Sequence, residues 1–517
     1  MMEPTPDVLI IGSGVGGGAM ARRLAENGAR VLLIERGGWV PREAQNWSVA
    51  CVFHEKKYTA HDTWLDADGA PFRPNMYYNV GGCTKFYGGS MIRLRERDFE
   101  RLAHAEGESP AWPIRYAELE PYYCQAEKIF GVRGNDQGDP TAPWRSIPYP
   151  FPELQSEPRV ASLADALREH GARSSALPLA VNYGNGGNCI RCKTCDGFPC
   201  KLGAKNEAET SLVQPALDTG RVTLITGTYA SRLLLAPDGR TIEGVEVERE
   251  GRIEVLRAKL IVVACGAVNS AALLLRSATS QAPNGIANGS GMVGRNYMCH
   301  NQTALMGLAL ERNETVFQKT LALNEYYFGE PGYEFPMGHA QMLGKLQGGM
   351  LSANIPYLPK EVGATMARHS MDWIVFSEDL PDPDNRVTWR DGKIQLTARR
   401  NNLSPHRRLV TTVRRLLRQC GYPIVLVKPL LRHSTSHQCG TVKFGTNPGD
   451  SALDPYCRSH QHRNLFVVDA SFMPSSAAVN PALTIAAQAL RAADHMLTED
   501  FGATPPAATP AQEPSHV

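Results

Sequence analysis

Three sets of residues in this 517-residue chain have the types and spacing that chemistry requires. The first is Gly12, Gly14 and Gly17, a G-x-G-x-x-G run that follows an apolar stretch and opens a helical one. Such glycines permit a tight turn, close approach of backbone to a pyrophosphate, and close helix–strand packing. The phosphate then rests against the positive end of the helix. Glu35 closes the next apolar stretch, where a carboxylate can accept hydrogen bonds from a ribose. Strand, turn, helix, strand and acid fall in register, so a dinucleotide is expected, although the pattern alone does not separate FAD from NAD. The second set is Cys189, Cys192, Cys195 and Cys200. Thiolates at comparable spacing ligate iron–sulfur clusters or zinc. The spacing departs from the ferredoxin run, however, and free thiols or a local disulfide at a domain boundary explain it as well, so no metal is assigned. The third set is the 14 histidines. An imidazole titrates near neutrality and suits a general base, but most histidines in a chain this long are surface or hydrogen-bonded core residues.

The elements that must position these groups can be read coarsely. Residues 7–38 form a βαβ unit, with apolar runs from Val8 to Ile11 and Val31 to Ile34. Residues 39–75 lack periodicity and read as a surface excursion. A second glycine-rich turn, VGGCTKFYGGS, spans residues 80–90. A helix is expected over 112–131 with Pro121 near its start, then a Pro-rich connection over 132–180. Three strands are expected in RVTLITGTYASRLLL, GRTIEGVEVERE and AKLIVVACGA. Between 300 and 400 the segments TALMGLAL, GGMLSANI, DWIVFSE and NRVTWRDGKIQL read as strands, the last a hairpin turning at Asp391-Gly392. A helix is expected from Ser404 to Cys420, and the Ala/Pro/Thr-rich residues 502–517 are expected to be a disordered tail. The formal charge of +2 with 21% charged residues gives no reason to expect nucleic acid as a partner. No run approaches the roughly 20 apolar residues of a membrane span, and the start of the chain lacks a secretory pattern. A cytoplasmic protein is therefore expected.

The segment SHQCGTVKFGTNPGDSALDPYCRSHQHRNLFVVDASFMPSSAAVNPALTIAAQALRAADHM resembles the closing segment of the glucose–methanol–choline (GMC) oxidoreductases, which are FAD enzymes. His437, Gly440, Thr441, Asp469, Ser471, Asn480, Pro481 and Thr484 follow that family's order. The βαβ unit, the 80–90 loop, AWPIRYAELEPYYCQAE, VVACGAVNSAALLLRSA and VGRNYMCH are also similar to it. The resemblance implies an α/β fold, a doubly wound FAD-binding (Rossmann-like) domain interleaved with a substrate domain built on an antiparallel sheet. The FAD-binding domain would comprise 1–45, 76–100, 200–300 and 433–500. The substrate domain would comprise 46–75, 101–199 and 301–432, including the cysteine loop at 189–200.

The same resemblance implies site roles. His437 would accept the hydroxyl proton of an alcohol while hydride leaves its carbinol carbon, and Asn480 would orient the substrate oxygen. Asp469 and Ala470 would lie along the FAD phosphate and ribityl chain, and Pro481 and Thr484 at the flavin's pyrimidine end. Gly88, Gly89 and Ser90 would pack along the isoalloxazine, and Ala230 would meet the adenine through its backbone. No histidine lies in residues 80–90 to link flavin covalently, and Cys83 is expected to pack. His433, His460 and His462 are expected to be surface or hydrogen-bonded core residues. The activity implied is oxidation of a CH-OH donor to an aldehyde or ketone, with a sugar, cyclitol or aminoglycoside-like hydroxyl preferred. Aliphatic or aryl alcohols, and a non-redox FAD-containing lyase, are the alternatives, and a binding-only flavoprotein fits the presence of His437 and Asn480 poorly. The partners expected are a small-molecule alcohol and an electron acceptor, whether oxygen, a quinone or a redox protein.

Overall fold

A computed structural model describes residues 5–135, 137–184, 186–430 and 436–503. Strand β1 (Val8–Ile11) is four apolar residues, all buried, as a strand covered on both faces must be. Helix α1 (Val15–Glu26) leaves the glycine turn, and β2 (Val31–Ile34) returns parallel to β1 with Val31 opposite Val8. Helix α2 (Tyr116–Ile129) and helix α3 (Pro158–Glu169) belong to the long excursion that follows. The chain then adds β3 (Val222–Ile225) beside β2 and β4 (Leu260–Val263) beside β1, both parallel. Helix α4 (Ala267–Arg276) starts directly after β4, at Gly266.

A second, antiparallel sheet follows, made of β5 (Asn301–Leu308), β6 (Leu321–Leu323), β7 (His339–Met342), β8 (Ser370–Ser377) and β9 (Ile424–Pro429). Its order is β9-β5-β8-β7-β6, with Ser175–Ala176 at the far edge. Successive strand residues point to opposite faces, and that alternation decides what this sheet does. Met371, Trp373 and Val375 of β8 join Ala340 and Met342 of β7 in a core shared with Leu409 and Val413 of helix α5 (Leu403–Gln419) and Leu163 of α3. The intervening residues, Ile374 and Phe376 of β8 and Gln341 of β7, face a cavity instead. After this sheet the chain returns to the first one, where β10 (Leu465–Val467) pairs parallel with β4 and completes the order β3-β2-β1-β4-β10. Helix α6 (Ala482–Phe501) packs on α1 and α2, and Asp494 receives Arg23 at 2.6 Å.

Several expectations change. GGMLSANI is a helix (Gly348–Asn354) rather than a strand. Gly348 and Gly349 let it seat against backbone at Ala364 and side chain at Val49, where a Cβ would stand 2.6 and 2.8 Å away. Pro121 lies inside α2, five residues after its first position, rather than near its start. RVTLITGTYASRLLL is broken at Gly227, whose φ of 62° ends β3 before a new strand, Thr228–Leu235, begins. That strand pairs with Ile242–Arg249, which pairs in turn with Arg252–Leu256. The 132–180 connection carries α3. The hairpin Arg386–Arg390/Lys393–Thr397 turns at Asp391 and Gly392, both with positive φ. The tail expected from residue 502 lies, from 504 onward, outside the described residues.

Candidate active site

The two sheets flank one cavity of about 470 Å³ whose walls come from residue 11 through residue 485. One end is built by the glycine turn. A Cβ on Gly12 would stand 2.4 Å from the Ala264 carbonyl oxygen, and one on Gly17 would stand 1.9 Å from the Gly12 oxygen. Gly17 therefore serves close packing and does not line the cavity. Gly14 does line it, and a Cβ there would meet nothing within 4 Å, so its backbone lies bare to the space. Glu35 is buried and accepts from Ser13 N at 3.0 Å, Ser13 Oγ at 2.6 Å and Gly37 N at 2.9 Å. Burial raises its pKa against those hydrogen bonds. The carboxylate thus braces the turn while still facing the cavity. Asp469 is likewise buried, its carboxyl pushed upward by desolvation. It accepts from Ser270 Oγ, from Gly266 N at 3.0 Å and from Ser471 N at 2.9 Å, which fixes the start of α4 and the segment carrying Ala470.

At the other end stands His437, in the left-handed region with φ of 59°. Backbone strain of this kind persists where the surroundings over-determine it, often at functional sites. Its Nδ1 lies 3.0 Å from Nδ1 of His300, and its Nε2 lies 3.4 Å from Nδ2 of Asn480. Oδ1 of Asn480 is buried with no partner. His300 Nε2 meets the Ser476 carbonyl oxygen at 2.9 Å, and His300 N donates to Asp379 at 2.9 Å. Burial drives the His437 pKa well below the ordinary imidazole value, and His300, Lys319 and His339 push it the same way. His339 is held to about 3, chiefly by burial and then by Arg95.

Between the two ends lies the loop over Gly88, Gly89 and Ser90. A Cβ on Gly88 would stand 1.7 Å from Asp196 Oδ1 and 1.9 Å from Lys319 Nζ, an ion pair 2.5 Å long on the cavity wall. Ser90 Oγ is buried, faces the cavity and has no partner. Gly89 turns away, its carbonyl accepting from Ala180 N at 2.8 Å. The cysteine loop supplies Asp196 and is held by Lys205, whose Nζ donates to the carbonyls of Tyr87, Cys195 and Phe198. Cys189, Cys192, Cys195 and Cys200 are all free, and among the described residues no three His, Cys, Asp or Glu side chains are grouped to hold a metal.

Of the residues singled out from sequence, Gly12, Gly14, Glu35, Gly88, Ser90, Ala230, His437, Asp469, Ala470, Asn480 and Pro481 line the cavity. Thr484 does not. It is fully buried with Oγ1 2.8 Å from the Tyr123 hydroxyl, on a different side of the helix turn whose Pro481, Ala482 and Ile485 line the cavity instead. The Ala230 carbonyl is occupied by Arg276. Cys83 is exposed to the cavity rather than packed. His460 bonds Ser451 at 3.0 Å, His462 is buried, and His433 lies outside the described residues. Sequence reading missed His300, Lys319, Asp196, Gln302 and Gln341. His300 ends the segment VGRNYMCH, but nothing in its spacing to His437, 137 residues away, announces the contact.

Comparison with known proteins decides the family. The GMC oxidoreductase family matches over residues 68–302 and 385–489, and an NAD(P)-binding Rossmann-like domain matches over 10–51. A paromamine 6'-oxidase from Streptomyces fradiae is 32% identical, covering 94% of this chain and 90% of the relative. The chain belongs to the GMC oxidoreductase family. A 2-methyl-1,2-propanediol dehydrogenase from Mycolicibacterium austroafricanum is 28% identical over 95% of this GMC chain and 95% of its own. The fold is shared with the crystal structure of pyridoxine 4-oxidase from Mesorbium loti, at a TM-score of 0.67 and 19% identity, covering 95% and 99% of the two chains. This GMC oxidoreductase is an FAD-dependent enzyme that oxidises alcohols. The residues present fit the cofactor: the bare Gly14 backbone meets the start of α1, which has no acidic residue in its first turn to oppose a pyrophosphate.

Proposed function

We propose that His437 and Asn480 are the reacting pair of this alcohol oxidation, and that the alcohol is a hydroxyl of a sugar, cyclitol or aminoglycoside-like molecule. The observation that carries the first part is the buried, desolvated His437 on the cavity wall, with its Nε2 beside the donor Nδ2 of Asn480. Hydride leaves a carbinol carbon readily only when the hydroxyl becomes alkoxide-like, so a base must receive its proton. His437 Nε2 receives that proton, and Asn480 holds the oxygen by donating to it from Nδ2. FAD, when bound, takes the hydride. Gly12, Gly14, Glu35 and Ala230 hold the dinucleotide portion; Gly88, Ser90, Asp469, Ala470 and Pro481 line the path toward His437. Gly17 supports the turn by packing, and Gly89 and Thr484 act on the site from behind it. In this reading the cofactor is gathered by residues 1–45, 76–100, 200–300 and 433–500.

The substrate class is supported by the cavity lining, where Gln302, Gln341, Lys319 and Asp196 offer amide and charged groups to a molecule with many hydroxyls. It is supported too by the names of two relatives, the paromamine 6'-oxidase and a fructose dehydrogenase large subunit from Gluconobacter japonicus. Those names divide between oxidase and dehydrogenase, so the electron acceptor is oxygen, a quinone or a redox protein. Twelve thiols with no disulfide among them suit a reducing, cytoplasmic setting. Among the described residues no helix is long and apolar enough to cross a membrane. The test is anaerobic bleaching of the flavin bands by a panel of amino sugars, hexoses, cyclitols, and aliphatic and aryl alcohols. Bleaching by the polyols supports the assignment; bleaching by aryl or aliphatic alcohols alone would sink the substrate class.

A further inference from the structure

We infer that His300 is a positioning residue that holds His437 in the tautomer with hydrogen on Nδ1, leaving Nε2 bare toward Asn480 and the cavity. This role rests on the reading of His437 as the base and follows from one chain of contacts. The carbonyl oxygen of Ser476 can only accept, so the 2.9 Å contact requires hydrogen on His300 Nε2. With one hydrogen on the ring, His300 then presents a lone pair at Nδ1. The 3.0 Å approach of the two Nδ1 atoms requires one hydrogen between them, and it must belong to His437. Nε2 of His437 is left as an acceptor. The 3.4 Å contact with Asn480 Nδ2, a donor, agrees with that polarity.

The scaffold around His300 leaves it little freedom to do otherwise. It is buried, at φ of 64°, with its amide on Asp379. Asp379 also accepts from Cys299 N at 2.8 Å and from Ser476 Oγ at 2.9 Å, and Ser476 is the residue whose carbonyl fixes the His300 ring. One carboxylate therefore sets both the backbone of His300 and the position of its ring acceptor. The rings of His300 and His437 meet edge to face at 5.1 Å, with Phe376 packed on both. Lys319, paired with Asp196, and His339 act on His437, while Cys299, Asp379, Arg399 and Arg400 line a small pocket beside His300. No other ring nitrogen or carboxylate bonds His437 Nδ1 among the described residues.

The experiment uses the FAD-loaded enzyme with 15N-labelled histidine, in which the nitrogen shifts distinguish N–H from bare nitrogen. The expected spectrum gives His437 a protonated Nδ1 and a bare Nε2. His300→Asn keeps an acceptor for that hydrogen, whereas His300→Leu removes it. The Asn variant should retain the His437 tautomer and flavin reduction within about tenfold. The Leu variant should mix the tautomers and lose flavin reduction by about a hundredfold or more, the scale of general-base catalysis. A wild-type spectrum with hydrogen on His437 Nε2, as a doubly protonated His300 would impose, overturns the inference, even if no variant folds. So does an unchanged tautomer in the Leu variant. His437→Ala separates the two readings: unchanged reduction in that variant refutes the base assignment while leaving the tautomer result standing.

Discussion

Gly88 has no side chain because an ion pair occupies the place where one would begin. A Cβ there would meet Asp196 Oδ1 and Lys319 Nζ at 1.7 and 1.9 Å. Gly88→Ala should push that pair aside, costing about 1–3 kcal/mol as overpacking does. KM for a polyol should rise while bound flavin is retained, and thermal melting with steady-state kinetics reads both; no change in either would mean the pair moves freely and does not shape the site. His437 gives a second residue-scale prediction, in pH. Its folded pKa is depressed below the ordinary imidazole value, chiefly by burial. A depressed imidazole pKa means the neutral, proton-accepting form persists above the folded value and is lost only as pH falls through it. Flavin reduction should therefore stay level from neutral pH down through the usual imidazole range and drop only in more acid solution. Stopped-flow reduction against pH checks this, and a break near the ordinary imidazole value, about 6.5, would show that His437 is not desolvated as its surroundings imply.

Two glycines separate what an element needs from what a site needs. At Gly392 a Cβ would find nothing within 4 Å, so the constraint there is a φ of 73° in the hairpin turn. Gly392→Ala should cost about 1 kcal/mol and leave activity unchanged. At Gly17 a Cβ would strike the Gly12 carbonyl at 1.9 Å. Gly17→Ala should therefore open the turn and empty the protein of flavin, measured as the ratio of flavin to protein absorbance; a normal ratio would contradict that account of the turn. Elements like these were legible in the sequence because their causes are local: the βαβ unit shows in apolar runs and glycine spacing, and the hairpin in Asp391-Gly392. GGMLSANI was not, since a short apolar run suits strand or buried helix equally and its two glycines act through contacts with Val49 and Ala364. His437 and Asn480 became visible only through a familiar order of residues. His300, Lys319 and Asp196 did not, because long-range folding alone brings them to His437 and Gly88.

At the scale of the whole molecule, the cavity is a seam between distant parts of the chain. Its lining starts at Ile11 on β1 and ends at Ile485 on α6, and β10 closes the parallel sheet only after the antiparallel sheet has been traversed. A cofactor held there touches both early and late segments, so it binds the folded chain and has no comparable site on the unfolded one. Binding of that kind stabilises by mass action, about 2.7 kcal/mol when free FAD stands about a hundredfold above its Kd. The deflavinated protein should therefore melt at a lower temperature than the reconstituted one, and its Tm should climb with the logarithm of added FAD beyond saturation. Gly17→Ala, whose turn cannot close, should show no such climb over the same range. A Tm independent of FAD in the unaltered protein would mean that FAD has no preference for the folded chain over the unfolded one, and so is not held in the seam between the early and late segments.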